Sequence, residues 1–134
     1  MDSRKEREGA MQVLVCVTVQ KSCEQLIEYG ASIAKEQGLG LSVLHVAGLS
    51  DNFLGNPAEG EALEALYKLS SAYGAEMSVR RAADVISEIA AFARATDSTV
   101  IVMGQSRRSG RDIPGQLRAM MGGADVRVLY PQTV

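Results

Sequence analysis

Residues 12–19, QVLVCVTV, constrain this chain more than any other segment. The run is rich in β-branched residues, too short for a core helix, and barely alternates between apolar and polar side chains. A strand with one wet face alternates, whereas a strand in the middle of a parallel sheet is covered on both faces and does not. Parallel strands cannot be joined by tight hairpins, so each needs a long crossover, usually a helix. The rest of the sequence supplies those crossovers.

Ser22 opens the first, with a capping-box pattern over Ser-Cys-Glu-Gln (22–25) and Leu26, Gly30, Ile33 and Ala34 on one side. Gly38 stops it, and Leu41–Val46 reads as the next strand. Residues 47–60, AGLSDNFLGNPAEG, are the longest predicted loop. A helix from about Ala58 to Tyr73 turns Leu63, Leu66, Tyr67 and Leu69 inward, Gly74 ends it, and Glu76–Arg80 is a short strand. Asp84 caps a helix whose Ile86, Ile89, Ala90 and Ala93 face inward. Thr99–Met103 is a fourth strand, Gly104–Gly115 a polar, basic loop, Pro114–Met121 a short helix and Val126–Tyr130 a last strand. The alternation predicts one three-layer α/β domain over residues 11–134, a five-stranded parallel sheet with helices on both faces. Residues 1–10 are polar, lack apolar periodicity and read as a loose tail.

Composition narrows the function classes. A chain of 134 residues suits one domain, and 46% apolar with 22% charged residues is not the make-up of a disordered chain. A net charge of −2, 4% aromatics and no Trp argue against a nucleic-acid partner. No apolar run reaches the ~18 residues of a membrane span. Arg4, Lys5 and Arg7 ahead of Met11–Val19 imitate a secretion signal, but no small-residue cleavage site follows. Two cysteines give neither a disulfide framework nor a metal cluster, and free thiols point to the reducing cytoplasm. Cys16 reads as core, and Cys23 as a small residue filling the first helical turn.

Open parallel sheets bind ligands beyond the carboxyl ends of their strands, where the strand order reverses. That singles out the loops after strands one and four, Thr18–Ser22 and Gly104–Gly115. The second loop offers Gly104 and Gly110 for close backbone approach, Ser106 and Ser109 as hydroxyl donors, and the guanidinium forks of Arg107, Arg108 and Arg111. With Arg118 and Asp112, residues 104–118 carry four arginines against one aspartate, a net +3. A helix N-terminus near Asp112–Pro114 adds partial positive charge. The combination suits a phosphate; a merely soluble loop is the other reading these residues allow. Rival chemistries are missing: Thr18-Val19-Gln20 and Arg80-Arg81 stand where a phosphate-accepting receiver needs acids, and GxxxxGK[ST], GxGxxG and CxxC are absent. His45 is a lone histidine without a nucleophile to pair with, and reads as a packing or cleft-bordering residue. No catalytic residue and no metal-ligand set emerges, so a non-enzyme is expected.

The first strand with its helix (VLVCVTVQKSCEQLIEYGASIAKEQG), LSVLHV, the second helix running into GAE, and IVMGQSRRSG resemble the universal stress protein family over about residues 12–130. The nearest look is to the domain of KdpD-type potassium-sensing histidine kinases, where a GxSRRS-like stretch follows strand four. The resemblance implies an adenine nucleotide alpha hydrolase-like sheet in the order 3-2-1-4-5 and homodimers pairing through strand five, Val126–Tyr130. It also implies a non-catalytic adenine-nucleotide module in stress or ion-homeostasis signalling, with no required cofactor and ATP, AMP or cyclic di-AMP as ligand. Thr18, Val19 and Val46 would frame base and sugar in a slot bordered by Val17, Val46 and Met103, and Gly104, Ser106, Arg107, Arg108 and Ser109 would meet the phosphates. Against the family's G-x2-G-x9-G-[ST] motif, Gly104 matches the first glycine, Arg107 replaces the second, and Leu117 stands at the third, with Gly115 two residues early and Gln116 after it. A degenerate scaffold acting by dimerisation, and a slow ATPase, are the alternative expectations.

Overall fold

The computed structural model describes residues 11–17, 23–48, 57–104 and 113–129. Along the chain run β1 (Gln12–Cys16), α1 (Cys23–Gln37), β2 (Gly40–Gly48), α2 (Pro57–Ala72), β3 (Glu76–Ala82), α3 (Val85–Ala95), β4 (Ser98–Gly104), α4 (Ile113–Met121) and β5 (Asp125–Leu129). The strands form one parallel sheet in the order β3-β2-β1-β4-β5. Both the alternation and the order match the expectation.

β1 lies at the centre, and Val13, Leu14 and Val15 are each 0% exposed. Burial on both faces is why its sequence does not alternate. On one face α1 and α2 cover Val13, Val15, Val17, Val43, Val100 and Val102, using Leu26, Ile27, Ile33, Ala34 and Leu66. On the other, α3 and α4 cover Leu14, Leu44, Ile101, Met103 and Val126, using Ile86, Ile89, Ala90, Ala93 and Leu117. α1 comes down hard on the sheet at Gly30, where a Cβ would overlap the Val15 Cγ2 methyl. Local signals held where the sequence spelled them out. Gly38 and Gly74 follow α1 and α2 at φ of 70° and 74°, and Asp84 caps α3, accepting the Ser87 N–H at 3.2 Å.

Several boundaries moved. β2 continues through Ala47 and Gly48 because these residues pair with Arg81 and Ala82 of β3. α2 begins at Pro57, a residue suited to a helix start because it has no N–H to leave unsatisfied. The loop expected over 47–60 is therefore overlapped by β2 at its start and α2 at its end, and residues 49–56 lie outside the described residues. Tyr67, expected to face inward on α2, is 59% exposed; Leu66 and Ser70 hold the inner side. The β1 ladder ends at Cys16 rather than running to Val19, and β5 ends at Leu129. The tail expected over 1–10, the Ser22 cap and Tyr130 lie outside the described residues.

Candidate functional site

The chain winds outward from β1 through β2 to β3, then crosses back to β4 on the other side of β1. The strand order reverses between β1 and β4, so the position at which sheets of this kind form a binding crevice is at the carboxyl ends of these two strands. Across this end, register aligns Ser78, Leu44, Cys16, Met103 and Val128 in one row. Leu44, Cys16, Met103 and Val128 belong to the apolar cluster under α3 and α4. Val46 stands one step further along β2 on that same face, half-buried, and pairs with Arg80 of β3. Met103, at 5% exposure, is the floor of this region and Val46 its rim.

Val17 does not border the same slot. Side chains alternate along a strand, and Val17 packs with Val13 and Val15 under α1, 4% exposed. It shapes the site through its backbone. The Val17 N–H donates to the Leu44 carbonyl at 2.9 Å, and the buried His45 imidazole donates from Nδ1 to the Val17 carbonyl at 3.0 Å.

Gly104 closes β4 at the crevice, exposed and in register with Leu129. A Cβ there would make ordinary contacts, 3.5 Å to Leu26 Cδ1 and 3.8 Å to the Leu129 carbonyl. Gly115 sits half-buried in the first turn of α4, the turn that carries the positive end of the helix dipole. Leu117 is 0% exposed in the core under α4. Thr18, Val19, Ser106, Arg107, Arg108 and Ser109 lie outside the described residues. Arg118, counted above with the basic loop, donates instead to the Val126 carbonyl of β5 at 2.8 Å. Its charge is tied to β5, and the loop keeps Arg107, Arg108 and Arg111 against Asp112.

Cys16 packs at the end of β1, and burial pushes its thiol up to about 12, so no thiolate forms near neutral pH. It is less enclosed than a core residue, with intermediate exposure. Cys23 is buried in the first turn of α1, as expected. Two residues near the crevice carry more than the sequence reading gave them. One is His45, whose bond to Val17 is described above. The other is Arg80, whose guanidinium lies 5.4 Å from the centre of the Phe92 ring, beside Val46. Only the β2–β3 register puts Arg80 there, and one sequence does not state a register. Among the described residues, no three or more His, Cys, Asp or Glu come together to hold a metal, and no helix is long and apolar enough to cross a membrane.

Comparisons agree with this architecture. A universal stress protein from Archaeoglobus fulgidus superposes with a TM-score of 0.63 at 19% identity, covering 91% of this chain and 93% of that one. A universal stress protein in complex with cAMP gives 0.64 at 15% identity, over 92% and 99% of the two chains. The A. fulgidus protein in complex with dAMP gives 0.57 at 18% identity, over 91% and 98%. A search of curated proteins found no match. At these identities the structures speak for the fold alone. The sequence itself goes further, matching the model of the universal stress protein family over residues 10–114, so the chain belongs to the universal stress protein family.

Proposed function

We propose that this protein is a non-catalytic module that binds or senses an adenine nucleotide at the carboxyl ends of β1, β2 and β4. The observation that carries the reading is the register Leu44–Cys16–Met103, extended by Val46. It gives the family's reversal point an apolar floor from which Gly104 leads directly into the arginine-bearing loop. An adenine ring on Val46 and Met103 would leave its phosphates toward Gly104, Ser106, Arg107, Arg108 and Ser109, and its sugar toward Thr18 and Val19. Universal stress proteins of the same fold in complex with cAMP and dAMP support the ligand class. A role in stress or ion-homeostasis signalling, and kinship with the KdpD-type branch, rest on the GQSRRS stretch at 104–109 and on family membership.

Thermal shift against ATP, ADP, AMP, cAMP and cyclic di-AMP, with and without magnesium, tests the reading. A ligand at 100 times its Kd adds about 2.7 kcal/mol, roughly 9 °C for a chain of this length. A selective shift with one nucleotide, which is recovered unhydrolysed, supports a sensor. No shift with any of them overturns it.

One feature favours the scaffold as second reading: Leu117, at the family's third glycine position, is wholly inside the core. Self-association would use β5, an edge strand of five residues. One carbonyl of that edge is already taken. Arg118 takes the Val126 carbonyl, and Arg127 donates to Asp125 Oδ2 at 2.9 Å and to Tyr29 Oη at 3.1 Å. Light scattering that gives a strict monomer would count against the scaffold.

A further inference from the structure

His45 ties together the two strands that frame the proposed site. In a parallel ladder continued past Cys16↔Leu44, the next residue of β1 gives its N–H to Leu44 and receives an N–H from two residues further along β2. The first of these bonds is made, Val17 N–H to Leu44 at 2.9 Å. At the second position the Val17 carbonyl takes the His45 side chain, 3.0 Å from Nδ1. A carbonyl only accepts, so the proton is on Nδ1. His45 is 7% exposed and Val17 4%, so water is a poor substitute for either partner. Val17 is the residue that follows β1, and Val46 is the next residue of β2 after His45.

We infer that His45 is a positioning residue: its Nδ1–H pins the Val17 carbonyl and so fixes where β1 ends relative to Val46. The imidazole touches no ligand in this account. It sets the spacing between the sugar-facing side of the site on β1 and the base-facing rim on β2. The inference rests on the nucleotide reading for its functional half, and on the β1–β2 geometry alone for its structural half.

Three variants test it. His45→Asn keeps an N–H donor the same number of bonds from Cα, His45→Gln moves the donor one bond further, and His45→Leu removes it. Backbone amide exchange at Val17 is measured by NMR without ligand, with Val13 as internal reference, alongside Tm and the Kd for AMP, ATP and cAMP. His45→Leu is expected to speed exchange at Val17 at least tenfold relative to Val13. It is also expected to weaken nucleotide binding about tenfold, or about 1.4 kcal/mol. His45→Asn restores both. Should His45→Leu not fold, His45→Gln against His45→Asn carries the same comparison.

Exchange that changes equally at Val13 and Val17 overturns the inference, because it reports a uniform loss of stability. Failure of His45→Asn to restore what His45→Leu lost overturns it as well. If the wild-type protein binds no nucleotide, the functional half falls with the nucleotide reading, and the exchange comparison still decides whether His45 sets the end of β1.

Discussion

Replacing Gly30 by Ala sets two well-calibrated effects against each other, and the structure decides which wins. In an unobstructed helix the change raises stability by about 1 kcal/mol, because alanine has less backbone freedom to lose. At Gly30 the new methyl would overlap Val15 Cγ2, with Leu41 Cδ1 at 3.4 Å and Val13 Cγ1 at 3.6 Å close behind. Val15 cannot yield. It is 0% exposed, paired on one side with Val43 and on the other with Val102, and its β-branched side chain is restricted at χ1. α1 must therefore lift, loosening Leu26, Ile27 and Ile33 over the same face. Overpacking of this kind costs about 1–3 kcal/mol, and the rigidity of Val15 puts it toward the upper end. Net of the helical gain, the variant should lose about 1–2 kcal/mol, a fall in Tm of roughly 3–7 °C at this chain length. Gly60 in α2 is the matched control, since nothing lies within 4 Å of a Cβ there and its φ is not positive. Gly60→Ala should raise Tm. Thermal unfolding followed by circular dichroism reads both, and a rise in Tm for both variants would refute the packing argument.

Gly104→Ala should leave stability within about 0.5 kcal/mol, because its Cβ meets only ordinary contacts; any loss of nucleotide affinity in that variant reports close approach of a ligand to the β4 backbone. Cys16 gives a pH signature. Its thiol ionises near 9.0 in the unfolded chain but only at about 12 when folded, so its contribution is fully present below pH 9 and lost as pH rises toward 12. Urea titrations should show Cys16→Ala losing less stability than wild type across that window, and equal losses would contradict the burial of the thiol. Arg118→Ala frees the Val126 carbonyl on the β5 edge, so sedimentation equilibrium should find self-association strengthened several-fold; unchanged association would mean that β5 is not the pairing edge.

The architecture was legible because its determinants are local and repeated. QVLVCVTV announces a strand covered on both faces, Gly38 and Gly74 end helices through positive φ, and Asp84 caps α3 through its own side chain. The strand order was not in the periodicity; it came with the family resemblance. What local pattern missed depends on which residue stands opposite which. Ala47 and Gly48 read as loop but pair with Arg81 and Ala82. Val17 and Val46 read as neighbours in one slot, yet alternation along β1 and β2 turns them to opposite faces of the sheet. Arg118 reads as part of a basic loop, but the helical turn carries it down to Val126. Tyr67 falls at helical spacing from Leu63, yet α2 presents Leu66 and Ser70 to the sheet and leaves the ring in water.

The burial of Leu117 bears on how any phosphate would be held. In the family pattern, glycines on the loop and the following helix let backbone N–H groups close around the phosphates. Here the third position is a leucine facing the sheet, and the turn of α4 that bears it has no room to rotate toward a ligand without emptying the core. Arg107 at the second position adds a side chain where the pattern wants none. The family's glycine pattern is thus incomplete in this sequence, and in the proposed reading its work passes to the guanidinium groups of Arg107 and Arg108. Those two modes of binding differ physically. A cradle of amides recognises phosphate by fixed geometry at short range, whereas arginine side chains act largely through charge, which salt screens within about 10 Å at 0.1 M. Affinity should therefore rise from AMP to ADP to ATP and fall steeply as salt is raised, in calorimetric titrations of the three nucleotides at low and high ionic strength. Affinities indifferent to phosphate number and salt would mean that the loop arginines do not meet the phosphates and that the base pocket over Val46 and Met103 does the recognition.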